Sequence, residues 1–480
     1  MCRYKGGGCE IRRRRFDASS GMAASNAHGP ACTQAMSTAA TPETIDLLIN
    51  ARWIVPVEPE RLVLERHAIA IHQGTIQAIL PQDEARTRYR ADEIVHLGDH
   101  VIIPGLINLH SHAAMNLLRG IADDRPLKQW LEEAIWPLEG QHLSHSFVLD
   151  GSLLAAAEML AGGITTCSDM YFYPEAVAEA FDRMGMRAVI GVTLLDFPTP
   201  YSPDAEDSLS KWLAVRDAWR STPTIEFAIA PHAPYSVSDT VLERAASLAD
   251  QLSCPLHMHV HETAQEVHDG LQQHGVRPLA RLASLGLLGP NFIGVHAVHL
   301  NAADIELLAR HGASVCHCPT SNMKLASGIA PVSALLQAGV TTGLGTDGAA
   351  SNNRLDILQE MRHAALLAKV SSQDAAAVPA PVALRMATLD AARALGMDDR
   401  IGSIAPGKRA DLCAISLETF ETRPCFDPLS HLVFVAGREH VTHVWVEGQA
   451  RVINRKLVLQ THNNELLRIS AMWHHKLVGG

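Results

Sequence analysis

Between residues 104 and 348 the chain alternates eight times between a short apolar run and a helix-patterned stretch. The runs are "LINLHSH", "ITTCSDM", "RAVIGVTLLD", "IEFAIAPHAPY", "PLHMHVHET", "FIGVHAVHL", "ASVCHCPT" and "VTTGLGTDG". Between them lie stretches such as "SFVLDGSLLAAAEMLAGG", "EAVAEAFDRMG" and "SDTVLERAASLADQL". Strands that alternate with helices pair in parallel and are covered on both faces, so they read as apolar runs without a polar side. Eight such units close into a (β/α)8 barrel, which the pattern sets at residues 104–403. A doubly wound open sheet is the competing architecture.

The flanks have another texture. "IDLLINARWIVPV", "AIAIHQGTIQAIL" and "EIVHLGDHVIIP" precede the barrel, and "GSIAPGKRADLCAI" and "VTHVWVEGQARVINRKLV" follow it. These short strands with glycine turns predict a small β-sandwich assembled from both chain ends, residues 43–103 with 404–462, leaving 463–480 as a tail. The fold class is thus α/β. Residues 1–42, rich in Gly, Ser, Ala and Arg without periodicity, predict a disordered extension. Its "CEIRRRRFDASSG" lacks the apolar centre of a secretory signal.

Charge and cysteine usage exclude several classes. The net charge is −11 although Arg12–Arg15 crowd the first residues, so the body is acidic and a poor match for phosphate backbones. No apolar stretch reaches the roughly 18 residues that span a bilayer. Nine cysteines lie scattered rather than in a dense, even framework, which points to a reducing cytoplasm. Neither nucleic acid nor membrane is an expected partner.

In a barrel of this kind, reactive side chains collect where the strands end at their carboxyl side. The first run ends in His110 and His112, the fourth in His232, the fifth in His259 and Glu262, the sixth in His296 and the eighth in Asp347. Residues i and i+2 of a strand share a face, so His110 and His112 can both reach the barrel mouth and bind one cation. His257, His259 and His261 alternate in the same way, and spacing alone leaves open which of them is a ligand. Asp347, before a glycine, also suits an ordinary turn or helix cap. Cys316 and Cys318 in "CHCP" stand at ligand spacing, but a second pair is missing, and they read as strand residues.

Taken together, "PGLINLHSH", "HVHET", "GVHAVHL", "CPTSNMKLASG", "GTDGAASNN" and "GSIAPGKRADL" resemble the amidohydrolase superfamily, from about Thr44 to about Val458. Within it they are most similar to the branch of chlorohydrolases, guanine deaminases and, above all, methylthioadenosine/S-adenosylhomocysteine deaminases. The resemblance implies one divalent metal per subunit, zinc before iron, held by His110, His112, His259 and Asp347. The fourth run, "IAPHAPY", has no lysine of the kind that bridges two metals in binuclear relatives.

The same resemblance implies a hydrolytic deaminase acting on the 6-amino group of an adenosine-type nucleoside. Asp347 would accept the proton of the attacking water, Glu262 would carry a proton to the ring nitrogen, and His296 would orient the nucleophile. Glu139 in "WPLEG" would bind the ribose hydroxyls, His232 the purine edge, and Trp130 would supply an apolar wall. Some relatives carry an arginine near the third strand end that suits a substrate carboxylate, and "VIGVTLLD" offers none. A homo-oligomer, dimer or tetramer, is the implied assembly. The competing functions are hydrolysis of another ring substituent, such as a halide or the amine of guanine, and a catalytically dead scaffold on the same barrel.

Overall fold

The computed structural model describes residues 41–458 and 463–478. Apart from residues 41 and 42, the extension expected at residues 1–42 lies outside the described residues. Among the described residues, sixteen strands fall into two eight-stranded sheets, one built from the chain ends and one from the middle.

The terminal sheet contains β1 (Glu43–Ile54), β2 (Leu64–His72), β3 (Thr75–Pro81) and β4 (Tyr89–Pro104). The barrel strands β5 to β12 follow, and β13 (Leu412–Ser416), β14 (Val441–Val446), β15 (Gln449–Ile453) and β16 (Lys456–Leu457) then complete the terminal sheet. Its order is β16-β15-β14-β13-β4-β1-β2-β3, with β1 and β4 parallel and the other pairs antiparallel. The expected sandwich thus takes the form of one curled sheet. Curling brings the β2–β3 turn onto the far flank, where Ala410 N–H donates to Gly74 O at 2.8 Å. Gly74 has φ +71°, and a Cβ there would meet the Glu447 carbonyl oxygen at 2.8 Å, so this contact needs glycine. The enclosed face carries Ile49, Ile69, Ile71, Ile76, Ile102, Leu412 and Trp445.

The barrel strands are β5 (Leu106–Ser111), β6 (Ile164–Tyr171), β7 (Arg187–Leu194), β8 (Ile225–Pro231), β9 (Leu256–Val260), β10 (Phe292–His296), β11 (Ser314–His317) and β12 (Thr342–Leu344). They pair in parallel in sequence order. That is a (β/α)8 barrel, and every residue of these strands is buried except the half-buried Glu226. Side chains close the seam between β12 and β5. Asn108 Oδ1 accepts from Thr346 N–H at 2.9 Å, its Nδ2 donates to Thr346 Oγ1 at 2.8 Å, and Asp347 N–H donates to His110 O at 3.0 Å.

Two features tie the parts together. At the start of β7, Arg187 forms a buried ion pair with Asp411 at 2.9 Å and a second with Glu447, joining barrel to sheet. Removing one partner of such a pair strands a charge in low dielectric at a cost of about 3–5 kcal/mol. Beyond residue 462 the chain forms a helix, Asn463–Val478, that buries Leu466, Ile469 and Trp473. The Trp473 indole meets Phe147 edge-on at 5.3 Å and donates to Asp150 at 2.7 Å, docking the helix on His145–Ala161. No helix among the described residues is long and apolar enough to cross a membrane.

Candidate active site

The carboxyl ends of the barrel strands converge on one cavity of about 440 Å³. His110 lies in β5, and His112 follows the strand directly and starts a short 3-10 turn. His259 lies in β9, His296 ends β10, His232 follows β8, and Asp347 comes three residues after β12. His112, Trp130, Glu139, His232, His259, Glu262, His296 and Asp347 all line the cavity, and His110 is fully buried behind them.

The backbone around the cavity is strained where His296 and Asp347 enter it and at His261 beside Glu262. His261, His296 and Asp347 have φ of 51°, 70° and 62°, conformations that bulky L-residues rarely adopt and that concentrate at functional sites. Gly345 allows the last strand to pass the first. A Cβ there would stand 2.9 Å from His110 N and 2.7 Å from Cys316 Sγ.

The histidine donor set is ready for a cation. His112 Nδ1–H donates to Met170 O at 2.6 Å and His259 Nδ1–H donates to His232 O at 2.8 Å, which leaves both Nε2 atoms as bare lone pairs. His110 Nδ1–H is taken by His257 Nε2 at 3.1 Å, and His257 in turn faces Ser168 Oγ at 3.3 Å. His110 Nε2 then sits 3.2 Å from His259 Nε2 and 3.4 Å from Asp347 Oδ1, with His112 Nε2 at 3.3 Å from the same oxygen. Ligands at about 2.0–2.1 Å from a tetrahedral zinc lie about 3.3 Å from one another. Burial depresses the basicity of His110 to about 4 and holds His259 well below its ordinary value, so both imidazoles are neutral, the form that binds metal. These residues fit a divalent metal.

Asp347 faces the histidines with Oδ1, which also accepts from Gly348 N–H at 2.7 Å. Its Oδ2 accepts from the hydroxyls of Ser321 at 2.7 Å and Ser351 at 2.8 Å. Burial works against ionisation, but close contact with the His110 ring and with the neighbouring His112 and His296 rings prevails, and the carboxyl stays well below its usual range. Glu262 lies beside this group, with Oε2 3.7 Å from His296 Nε2 and Oε1 accepting from Ser327 Oγ at 3.4 Å. Burial raises its pKa above that of an ordinary carboxyl, partly offset by His296. His296 itself is shifted upward: burial lowers it, but Glu262 and Asp347 outweigh burial. Its Nδ1–H donates to Asn322 Oδ1 at 2.8 Å, which sets the ring plane.

The outer part of the cavity is apolar and acidic. Trp130, Trp136, Phe172, Phe197 and Tyr235 line it, and none of its lining residues is lysine or arginine. Glu139 accepts from the Tyr171 hydroxyl at 2.5 Å. The protein around it drives its pKa up to about 7 by desolvation, against that hydrogen bond. His232 is depressed to about 3 by burial and by His112 and His110, and its Nδ1–H donates to Ser236 Oγ at 2.9 Å.

The open choice among the three alternating histidines has a structural answer. His259 faces the cavity and His257 stands behind His110. The left-handed turn at His261 breaks the alternation, so His261 Nε2 instead accepts from Leu279 N–H at 3.1 Å. Cys316 and Cys318 lie buried in an apolar cluster with Ile107, Leu109 and Val295, and their sulfurs are 3.9 Å apart. Glu266 escaped the sequence reading. Its two carboxylate oxygens accept the backbone N–H groups of His261 and Glu262, both at 2.8 Å, and so fix the turn that aims Glu262. The Thr263-Ala-Gln-Glu266 run is a capping-box spelling that could have revealed it. Tyr171, Ser321, Ser351 and Asn322 were also missed, and no local pattern announces them.

Comparison with known proteins bears on the family and the fold. The model of the amidohydrolase family matches residues 101–451. A 5-methylthioadenosine/S-adenosylhomocysteine deaminase of Saccharophagus degradans is 48% identical over 412 residues, covering 86% of this chain and 92% of that one. The structure of an adenosine deaminase from Xanthomonas campestris with bound zinc superposes with a TM-score of 0.90 at 46% identity, covering 92% of this chain and all of that chain. An atrazine chlorohydrolase from Arthrobacter aurescens shares the fold, with a TM-score of 0.83 at 23% identity over 89% of this chain and 99% of that one. With its barrel, its strand-end histidines and a family match that spans both, the chain belongs to the amidohydrolase family and is a hydrolase of carbon–nitrogen bonds.

Proposed function

We propose that this chain is a zinc-dependent deaminase that converts the 6-amino group of an adenosine-type nucleoside to the inosine-type carbonyl, with 5′-methylthioadenosine as a preferred substrate. The observation that carries this reading is the placement of Glu262, His296 and Asp347 around one face of the histidine cluster, at the base of an aromatic-walled cavity. His110, His112, His259 and Asp347 would hold the ion. When bound, a divalent ion would supply Lewis acidity there, lowering the pKa of water from 15.7 to about 7.

The chain's own groups divide the proton traffic. Asp347, kept ionised, accepts a proton from the attacking water, and His296 orients that water through Nε2. Glu262, whose pKa burial raises, delivers a proton to the ring nitrogen next to the amine-bearing carbon. The water oxygen forms the new bond to that carbon, and the carbon–nitrogen bond to the amine breaks. One water proton ends on the ring nitrogen by way of Glu262 and the other leaves with ammonia by way of Asp347. His232 would meet the purine edge with its unprotonated Nε2, and Trp130 would cover the ring.

The 5′ end of the nucleoside would lie among the aromatic side chains. No lysine or arginine lines the cavity, and three cations around it are engaged elsewhere: Lys324 with Asp123, Arg119 with Glu158 and Arg281 with Asp239. A methylthio group suits such a wall, whereas the zwitterionic tail of S-adenosylhomocysteine would leave its carboxylate unpaired among acids. An ammonia-release screen of methylthioadenosine, S-adenosylhomocysteine, adenosine, guanine and a chlorinated triazine tests the proposal. Methylthioadenosine should exceed S-adenosylhomocysteine in kcat/KM by about tenfold or more, as expected when an unpaired charge costs at least 1.4 kcal/mol. Halide release without ammonia would favour a chlorohydrolase, and silence on every compound by a zinc-loaded protein would favour a scaffold.

Glu139 gives a separate expectation. Glu139→Ala should raise KM for ribosides by about tenfold, the worth of a hydrogen bond to a charged group, and leave 2′,3′-dideoxy analogues nearly untouched. Equal losses on the two substrates would remove it from the sugar site.

A further inference from the structure

The carboxylate assigned to the sugar is carried outside the barrel. After β5 the chain leaves on an excursion over residues 119–143, with left-handed residues at Gly120, Ala122 and Asp124 and a single π-helical turn over Leu131–Ile135. Glu139 rides on the short helix that follows, Trp136–His142, which has no fully buried residue. A segment of this kind does not by itself hold a carboxylate to a fraction of an ångström, and sugar recognition by hydrogen bonds needs that accuracy.

Tyr171 belongs to the rigid part. It is the last residue of β6, is 3% exposed, and its ring is held 5.3 Å from Phe172 and 6.3 Å from His112. Its hydroxyl donates to Glu139 Oε1 at 2.5 Å, and among the described residues no other side chain hydrogen-bonds that carboxylate. Ion pairs of Arg119 with Glu158 and of Asp123 with Lys324 hold the start of the excursion, and the bond from Tyr171 ties the Glu139 carboxylate itself to a strand end beside the histidine cluster.

We propose that Tyr171 is the positioning residue of the sugar site: by anchoring Glu139 Oε1, it leaves Oε2 and the second lone pair of Oε1 aimed into the cavity to accept the 2′- and 3′-hydroxyls of a ribose. The proposal rests on the reading of Glu139 as the sugar contact. The phenol also favours the ionised, accepting form of a carboxyl that burial alone drives toward protonation.

The test is a cycle of substitutions read on adenosine and 2′,3′-dideoxyadenosine, with zinc content and melting temperature measured alongside. Tyr171→Phe keeps the ring and removes the donor. It should raise KM for adenosine by about tenfold, change kcat by less than about twofold, and leave kcat/KM for the dideoxy nucleoside unchanged. In a Glu139→Ala background, Tyr171→Phe should have no further effect on adenosine, because the group it positions is gone. Equal losses on the two nucleosides, or effects that simply multiply across the two positions, would overturn the proposal and mark Tyr171 as structural. Failure of the underlying reading looks different: Glu139→Ala alone would then depress adenosine and its dideoxy analogue to the same degree.

Discussion

Glu262→Gln should leave the metal content at the wild-type level and lower kcat by about 10²–10⁴-fold, the usual worth of a positioned proton carrier. The two halves of this expectation come from different observations. Metal should stay because Glu262 stands outside the group formed by His110, His112, His259 and Asp347, its nearest site partners being His296 at 3.7 Å and Ser327 at 3.4 Å. Turnover should go because the amide has the shape of the acid but cannot pass a proton to the ring nitrogen. The fold should tolerate the change, since a buried carboxyl already pushed toward its neutral form is replaced by a neutral group of equal size. Zinc analysis and steady-state ammonia release on the same preparation decide the matter. Turnover within a few-fold of wild type would remove Glu262 from the proton path.

The second large effect is expected of His110→Ala, which should abolish both the bound metal and activity. His110 is common to both groups of side chains able to share an ion, His110-His259-His296 and His110-His112-Asp347, and it has no exposed surface. Its removal deletes the contacts at 3.2 Å and 3.4 Å that bring His259 and Asp347 to one point. Wild-type protein should carry about one zinc per chain, as a single shared ligand set predicts, and the variant less than about a tenth of that. After chelation, added zinc should restore the wild type and fail to restore the variant. A variant that still binds zinc stoichiometrically would show that the ion is held elsewhere.

The legible and illegible parts of this molecule separate by the range of the interactions involved. Alternating apolar runs and helical stretches dictate a barrel because each strand must be covered on both faces, and that is a local pattern. The position of His110, His112, His259, His296 and Asp347 at strand ends follows from the same alternation. Period-two reasoning stops working where the backbone leaves the strand conformation, and for this reason spacing could not choose among His257, His259 and His261: the left-handed turn at His261 is invisible to it. Residues 343–348 even spell G-x-G-x-x-G, a run that elsewhere cradles a pyrophosphate. Here Gly345 serves the close passage of β12 by β5, and the run carries Asp347. Ser321, Asn322 and Tyr171 act through contacts between elements distant in sequence, and a single chain carries no local mark of such contacts. The curl of the terminal sheet was illegible for the same cause, since it depends on Gly74 meeting residues 410 and 447.

The seam at Asn108 and Thr346 has a bearing on how the chain matures. These two residues are 238 positions apart, and the bonds between them stand in for a full ladder at the one joint where the first barrel strand meets the last. The ligands proposed for zinc straddle that joint, so an ion there would work as a clasp as well as a reagent, and its binding energy would count toward keeping the cylinder shut. A ribosome-bound chain lacks the clasp until Asp347 has emerged. Supply of the ion would then govern how many finished molecules exist, not only how fast each one works.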